Sequence, residues 1–249
     1  MPRRPRSNPG LWVEAGAAFS ACGPGARFAK TNASRTAFDG LPMSPSRRLL
    51  LLSLTLVPLA RSRMADGADP GAAPGASVQR FYDDLLAVMR DGKRLGFDGR
   101  YSRLAPAVER AFDLPLMTRI AIGPGWAQIP ADQQQRLTQA FSRYTISVYA
   151  NRFDDYGGER FEVDSQAVTN ANGVVVKSRL VKSNGEKVAL NYLLHQDPGG
   201  VWKVIDVYLS GTVSELATRR SEFASVLQRA GAEGLVREIE QRTAALRTG

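Results

Sequence analysis

The chain has 249 residues, with 33 Lys and Arg against 24 Asp and Glu, a formal net charge of +9, one Cys and one His. A charge of that size suggests an anionic partner, but residues 1–63 hold ten basic and two acidic residues while residues 64–249 hold 23 and 22, and a nucleic-acid-binding domain keeps its basic stripe in the folded part. With Cys22 in the N-terminal stretch and His195 as the lone histidine, the part that folds has no disulfide, no thiol nucleophile and no His/Cys metal cluster.

Residues 1–42 show no sustained apolar period and read as a mis-assigned start upstream of Met43, or as a disordered extension. Arg47-Arg48 followed by Leu49–Ala60 then has the form of an export signal, a basic segment before a short apolar run. That run is too short for a bilayer, which takes roughly 20 apolar residues as a helix. Residues 43–65 are therefore read as the signal, using either the general secretory or the twin-arginine route, and the remainder as periplasmic. No small-x-small cleavage site stands out. Residues 66–77, rich in Gly, Ala and Pro, read as a linker, and residues 78–249 as one α+β domain.

From Val78 the pattern is helical: Val78, Phe81, Tyr82, Leu85, Leu86 and Met89 share one face. Tyr101, Leu104, Ala107, Val108 and Phe112 predict a second helix, and Leu116, Met117 and Ile120 a third that stops at Gly123-Pro124-Gly125. Pro130 opens a long helix carrying Leu137, Ala140, Phe141, Tyr144, Val148 and Tyr149, expected to run to about Tyr156. The period then changes to alternation, with strands around Phe161–Val163, Val174–Leu180, Val188–Leu194 and Trp202–Val204. Asn172-Gly173, Asn184-Gly185 and Asp197-Pro198-Gly199-Gly200 separate them as tight turns. Thr212-Val213-Ser214-Glu215 reads as a capping box for a helix ending at Gly231, and Leu235, Ile239 and Ala244 mark a last helix. The expected class is α+β: a four-stranded antiparallel curved meander covered by N- and C-terminal helices.

Few residues invite catalysis. His195 alternates to the charged face of its strand and reads as a rim histidine. Asp206 follows Trp202 and Val204 on the apolar alternation; it is either a buried general base or an acceptor for backbone N–H groups at the start of the next helix. Asp154-Asp155 reads as a solvated pair at a helix end.

The block from Trp202 to Ser214 (WKVIDVYLSGTVS) resembles the signature of the toluene-tolerance family of periplasmic lipid-binding proteins. Arg219-Arg220-Ser221-Glu222-Phe223, Gly231 and Gly234-Leu235 fit it too, as do the segments from Phe112 to Arg119 and from Tyr149 to Phe153, and Gln133-Gln134-Gln135 with Ala140-Phe141. Ile129 departs from the Ser or Thr cap usual before Pro130. The pattern is most similar to the branch associated with hopanoid biosynthesis, a relative of the phospholipid shuttle MlaC, and spans Val78 to about Leu246.

The resemblance implies a carrier without cofactor or catalytic residue, holding a phospholipid or hopanoid and meeting a membrane-embedded transporter or exporter. The tails would lie in a hollow apolar space lined by Leu116, Ile120, Phe141, Tyr144, Val148, Phe161, Val163, Val174, Val176, Leu190, Tyr192, Leu194, Trp202 and Val204. Two alternatives stand beside it: a small enzyme with Asp206 as base, and an accessory periplasmic protein with a solid core.

Overall fold

The computed structural model describes residues 71–248, so residues 1–65, read as an extension and an export signal, and the first five residues of the linker lie outside the described residues. Helix α1 (Pro74–Arg90) buries Val78, Phe81, Tyr82, Leu85, Val88 and Met89, the face set by the helical spacing. It begins four residues ahead of Val78, because Pro74 occupies the first turn, where the fixed proline φ suits a helix and a missing N–H costs nothing. Helix α2 (Gly92–Ala111) is broken at Gly96, whose φ of +61° lies in the region that favours glycine. Its expected start near Tyr101 thus falls one helical segment late.

Asp113 caps helix α3 (Leu114–Ile122), its carboxylate accepting from the Leu116 N–H at 3.0 Å. A 3₁₀ turn follows over Gly123–Gln128. Helix α4 (Ala131–Arg152) starts after Pro130 with no side-chain cap, as Ile129 in the usual cap position implies, and stops four residues short of Tyr156.

Strands β1 (Arg160–Asn170), β2 (Gly173–Val181), β3 (Lys187–Gln196), β4 (Trp202–Leu209) and β5 (Val213–Ser214) form one antiparallel sheet in chain order. The turns fall at the expected Gly-bearing dipeptides. At the β1–β2 turn Gly173 has φ +143°, and a Cβ there would stand 2.4 Å from the Leu194 carbonyl oxygen, so glycine is required twice over.

The sheet has five strands where alternation gives four. The extra one is the Val213–Ser214 pair, which continues from β4 by a tight turn at Ser210-Gly211. Helix α5 (Glu215–Thr248) follows directly and is interrupted at Gly231 (φ +66°), the break expected there. The capping residue is Ser214 and not Thr212: Ser214 Oγ accepts from the Ala217 N–H at 2.9 Å.

Helix α1 packs on β1 and β2, α2 on α4, and α5 lies along α4 while its first turns meet β4. The core between these layers is aromatic. Tyr82 stacks on Phe161 with centroids 4.0 Å apart, and Phe81 meets Phe112 and Tyr149 edge-on at 5.1 and 5.2 Å. Such pairs add about 0.5–1.5 kcal/mol each beyond the area they bury.

One bulge reorganises the sheet. Leu194 stands opposite Val204, but Leu193 stands opposite Asp206, so β4 has an extra residue at Ile205. Val207 and Leu209 consequently share the helix-facing side with Tyr192 and Leu190, and Asp206 is turned to the other face. Simple alternation from Trp202 and Val204 places Asp206 inside; the bulge puts it out of register with them.

Candidate functional site

Between the helix layer and the sheet lies an apolar recess. Leu190, Tyr192, Val207 and Leu209 form its sheet wall; Phe141, Val148, Tyr149 and Phe153 come from α4 and its end; Phe112, Met117 and Leu216 close it. Thr145, Arg152, Glu215 and Arg219 bring the polar atoms. Thr145, Arg152 and Glu215 are half-buried and mark the side that meets solvent. With the side chains in place the recess leaves about 60 Å³ free; with its mouth and the crevices between atoms the space is about 620 Å³. A water takes about 30 Å³ of liquid volume, so the free interior is narrow and not the broad hollow expected.

Four of the fourteen residues expected around such a space line it: Phe141, Val148, Leu190 and Tyr192. Val176, Leu194 and Val204 face the same side of the sheet, are 1 % exposed or less, and belong to the packed core. Phe161 lies under Tyr82, and Trp202 packs beside Phe81 at a shallow cleft formed with α1 and α2. Tyr144 supports Arg219 from α4. Leu116, Ile120, Val163 and Val174 are partly exposed and stand outside the recess.

Several lining residues escaped the alternation. Val207 and Leu209 did so because of the bulge at Ile205. Phe112, Met117, Tyr149 and Phe153 sit in the segments that carry the family resemblance, which was the available signal. Arg219 was legible from spacing, since it lies three residues after Leu216 and four before Phe223, on the buried face of α5.

Arg219 is the charged group of the recess. It is 7 % exposed, its Nη2 donates to Glu215 Oε2 at 3.1 Å, and its guanidinium lies 4.7 Å from the Tyr144 ring centre. Burial by itself lowers its pKa, but Tyr144 and Glu215 outweigh that, so the group stays cationic. Its Nη1 is buried and makes no hydrogen bond.

Behind the recess the tyrosine hydroxyls are satisfied internally. Tyr82 Oη and Ser178 Oγ are 2.6 Å apart, and Ser178 Oγ donates to the Leu190 carbonyl. Desolvation raises the pKa of Tyr82, Tyr149 and Tyr192, so all three stay neutral.

The catalytic alternative centred on Asp206 has no support in this geometry. Asp206 does not line the recess, and its carboxylate already accepts from Val207 N–H at 2.7 Å, Leu216 N–H at 3.2 Å and the Ser214 hydroxyl. That is the structural acceptor role, holding the start of α5 against β4. His195 Nε2 lies 2.8 Å from Asp113 Oδ2, tying β3 to the cap of α3 at the rim. Asp155 pairs with Lys93 at 2.6 Å, which lowers the pKa of its carboxyl. Among the described residues no group of acidic or His side chains is placed to hold a metal, and no helix is long and apolar enough to cross a membrane.

A second, wider cleft of about 550 Å³ lies between α2, α4 and the end of α5, floored by Phe97 and Tyr101. The Arg143–Glu240 and Arg247–Asp98 ion pairs occupy it, with side chains 45–69 % exposed. It is a charged surface cleft; the apolar recess is the better place for hydrocarbon.

Fold and recess together define an α+β protein with an oily slot between sheet and helices and one buried cation at its polar side. The family profile described as MlaC protein matches residues 79–241, and the chain belongs to that family. A phospholipid-binding protein from Ralstonia solanacearum, solved in complex with a phospholipid, is similar to it at 29 % identity and a TM-score of 0.62. The match covers 70 % of this chain and 99 % of that one. No curated protein matches the chain in sequence.

Proposed function

We propose that this protein is a periplasmic lipid carrier, which shelters acyl or polycyclic hydrocarbon between sheet and helices and moves it between membranes. The observation that carries the reading is the recess walled by Leu190, Tyr192, Val207, Leu209, Phe141 and Val148, in a fold whose Ralstonia relative holds a phospholipid. Each exposed methylene costs about 0.8 kcal/mol, so a fourteen-carbon chain costs on the order of 11 kcal/mol in water. A protein that covers the tails removes that barrier without needing a catalytic group.

A free interior of about 60 Å³ does not admit a whole acyl chain. Loading on this reading widens the slot along the walls already present. The donor and receiver of the lipid are membrane-embedded complexes, a transporter or an exporter, and the N-terminal basic-apolar segment is the export signal that brings the chain to them. The Ralstonia complex favours phospholipid as cargo. The sequence pattern similar to the hopanoid branch keeps a polycyclic amphiphile as the alternative cargo. Native mass spectrometry of the exported domain, followed by extraction and identification of what is bound, tests the reading. A co-purifying amphiphile at near one per chain is expected; a protein that emerges empty and stays empty with lipid vesicles refutes it.

A further inference from the structure

The wider cleft between α2, α4 and the end of α5 is unsuited to hydrocarbon, and its chemistry points elsewhere. Its volume of about 550 Å³ lies within the range of ligand pockets, about 300–1,000 Å³. The break at Gly96 opens a new helical segment at Phe97, one turn before Tyr101. The two rings lie side by side on the cleft floor, with centroids 6.3 Å apart and 29° between their planes. Arg143 and Ser147 reach the cleft from α4, one turn apart and on the side opposite Phe141 and Val148. Cleft and recess are therefore separate.

The charges around this floor balance. Arg143 Nη2 donates to Glu240 Oε1 at 2.9 Å, and Arg247 Nη2 stands 2.7 Å from Asp98 Oδ1. A guanidinium has five N–H donors, so each arginine can keep its carboxylate and still bind another acceptor. Exposed pairs of this kind hold each other weakly, so exchanging a contact for an incoming hydroxyl costs little. A ligand with net charge leaves one member of a pair unanswered; a neutral ligand rich in hydroxyls leaves none. Ser102 and Ser147 add hydroxyl groups to the lining.

The aromatic floor adds a second requirement. A ring face is electron-rich and attracts the hydrogen edge of a neighbouring group, so Phe97 and Tyr101 favour a flat surface of C–H bonds. A molecule with a C–H face, a rim of hydroxyls and no net charge is a pyranose sugar.

We propose that this cleft is a saccharide site, in which Phe97 and Tyr101 carry the ring faces of a short neutral glycan segment. The Arg143–Glu240 and Arg247–Asp98 pairs take its hydroxyls. The site stands apart from the carrier reading, since no residue lines both cleft and recess.

Isothermal titration calorimetry of the full chain with cellotriose, maltotriose and the N-acetylglucosamine trimer tests it. At least one sugar is expected to bind in the millimolar range or tighter, with the same affinity at low and high salt, because the ligand carries no charge to be screened. Tyr101→Ala should weaken that binding about tenfold or more. Tyr101 also packs against the core, so Glu240→Ala and Arg247→Ala, at side chains 51 % and 63 % exposed, repeat the test with the fold unthreatened; each should weaken binding about tenfold. Sedimentation with the insoluble polymer of whichever sugar binds separates the two sources: retention identifies a glycan strand as the ligand, and binding of the trimer without retention a free saccharide. Binding of none of the three sugars overturns the site, as does unchanged affinity in folded Glu240→Ala and Arg247→Ala proteins. Tighter, salt-sensitive binding of trilysine or triglutamate would make the cleft a site for charged peptide, and the proposal falls.

Discussion

Ser214 Oγ donates to Asp206 Oδ2 and accepts from the Ala217 N–H, so one hydroxyl joins the end of the sheet to the first turn of α5. The other oxygen of Asp206 takes the Leu216 and Val207 N–H groups. Through Leu216, Glu215 and Arg219 the same turn supplies a wall of the recess, so the carboxylate on the far face of β4 positions residues on the near one.

Asp206→Ala should cost about 2–4 kcal/mol, because it strips a cap and leaves two buried backbone N–H groups unpaired. Chemical denaturation checks this. A loss below about 0.5 kcal/mol would mean that α5 is held in place without it.

The pH response of Asp206 has a definite sign. Burial raises its carboxyl pKa, against the opposing pull of Ser214 and the Leu216 and Val207 N–H groups, so the folded state holds the proton more tightly than the unfolded chain. Its favourable contribution is complete below the unfolded-state pKa and is lost as pH rises through the raised folded-state value. The stability difference between wild type and Asp206→Asn should therefore decline with rising pH across the carboxylate range. Urea titrations at a series of pH values would show it, and a rising difference would contradict the assignment.

Val148 and Val176 separate slot from core. Val148 borders the free volume, so Val148→Phe should keep the protein folded while displacing bound lipid, as seen by native mass spectrometry. Val176 is fully buried among packed neighbours, and Val176→Asp should unfold the domain, at about 4 kcal/mol or more for an unpaired buried charge. Full lipid occupancy in a folded Val148→Phe would move the tail site elsewhere.

Tyr82→Phe removes a hydroxyl whose partner, Ser178 Oγ, keeps its bond to the Leu190 carbonyl. A loss of about 1 kcal/mol is expected in thermal or chemical unfolding. Ser178→Ala should cost more, since it removes a partner from both Tyr82 Oη and the Leu190 carbonyl.

Arg100 is 8 % exposed and donates to the Ala150 carbonyl at 2.6 Å and the Gly92 carbonyl at 2.9 Å, pinning the start of α2 to the end of α4. Arg100→Met keeps the bulk and drops both bonds; about 1.5–3 kcal/mol should be lost per charge-assisted bond at most. Stability equal to the wild type would show that water replaces the guanidinium.

Much of this architecture was written in local pattern. The face of α1, the three Gly-bearing turns and the breaks at Gly123 and Gly231 depend on neighbours a few residues away, and spacing reports such things directly. Helix α2 was half missed because Gly92–Leu95 precede a kink and carry no apolar period. Strand β5 is two residues long, too short for alternation to register. The site was less readable. Phe141, Val148, Leu190 and Tyr192 followed from periodicity, but Val176, Leu194 and Val204 share that periodicity and are core. An apolar face looks the same in sequence whether a side chain or a void lies opposite it.

By itself the chain determined its near-neutral folded part, its helices-sheet-helices order and its family signature, all properties of composition and short-range spacing. Tertiary structure decided the rest. The bulge at Ile205 turned Asp206 out and Val207 and Leu209 in, and packing of α5 on α4 placed Arg219 beside Tyr144 with one nitrogen free of bonds. Register and packing depend on groups far apart along the chain, and no local pattern encodes which of them meet.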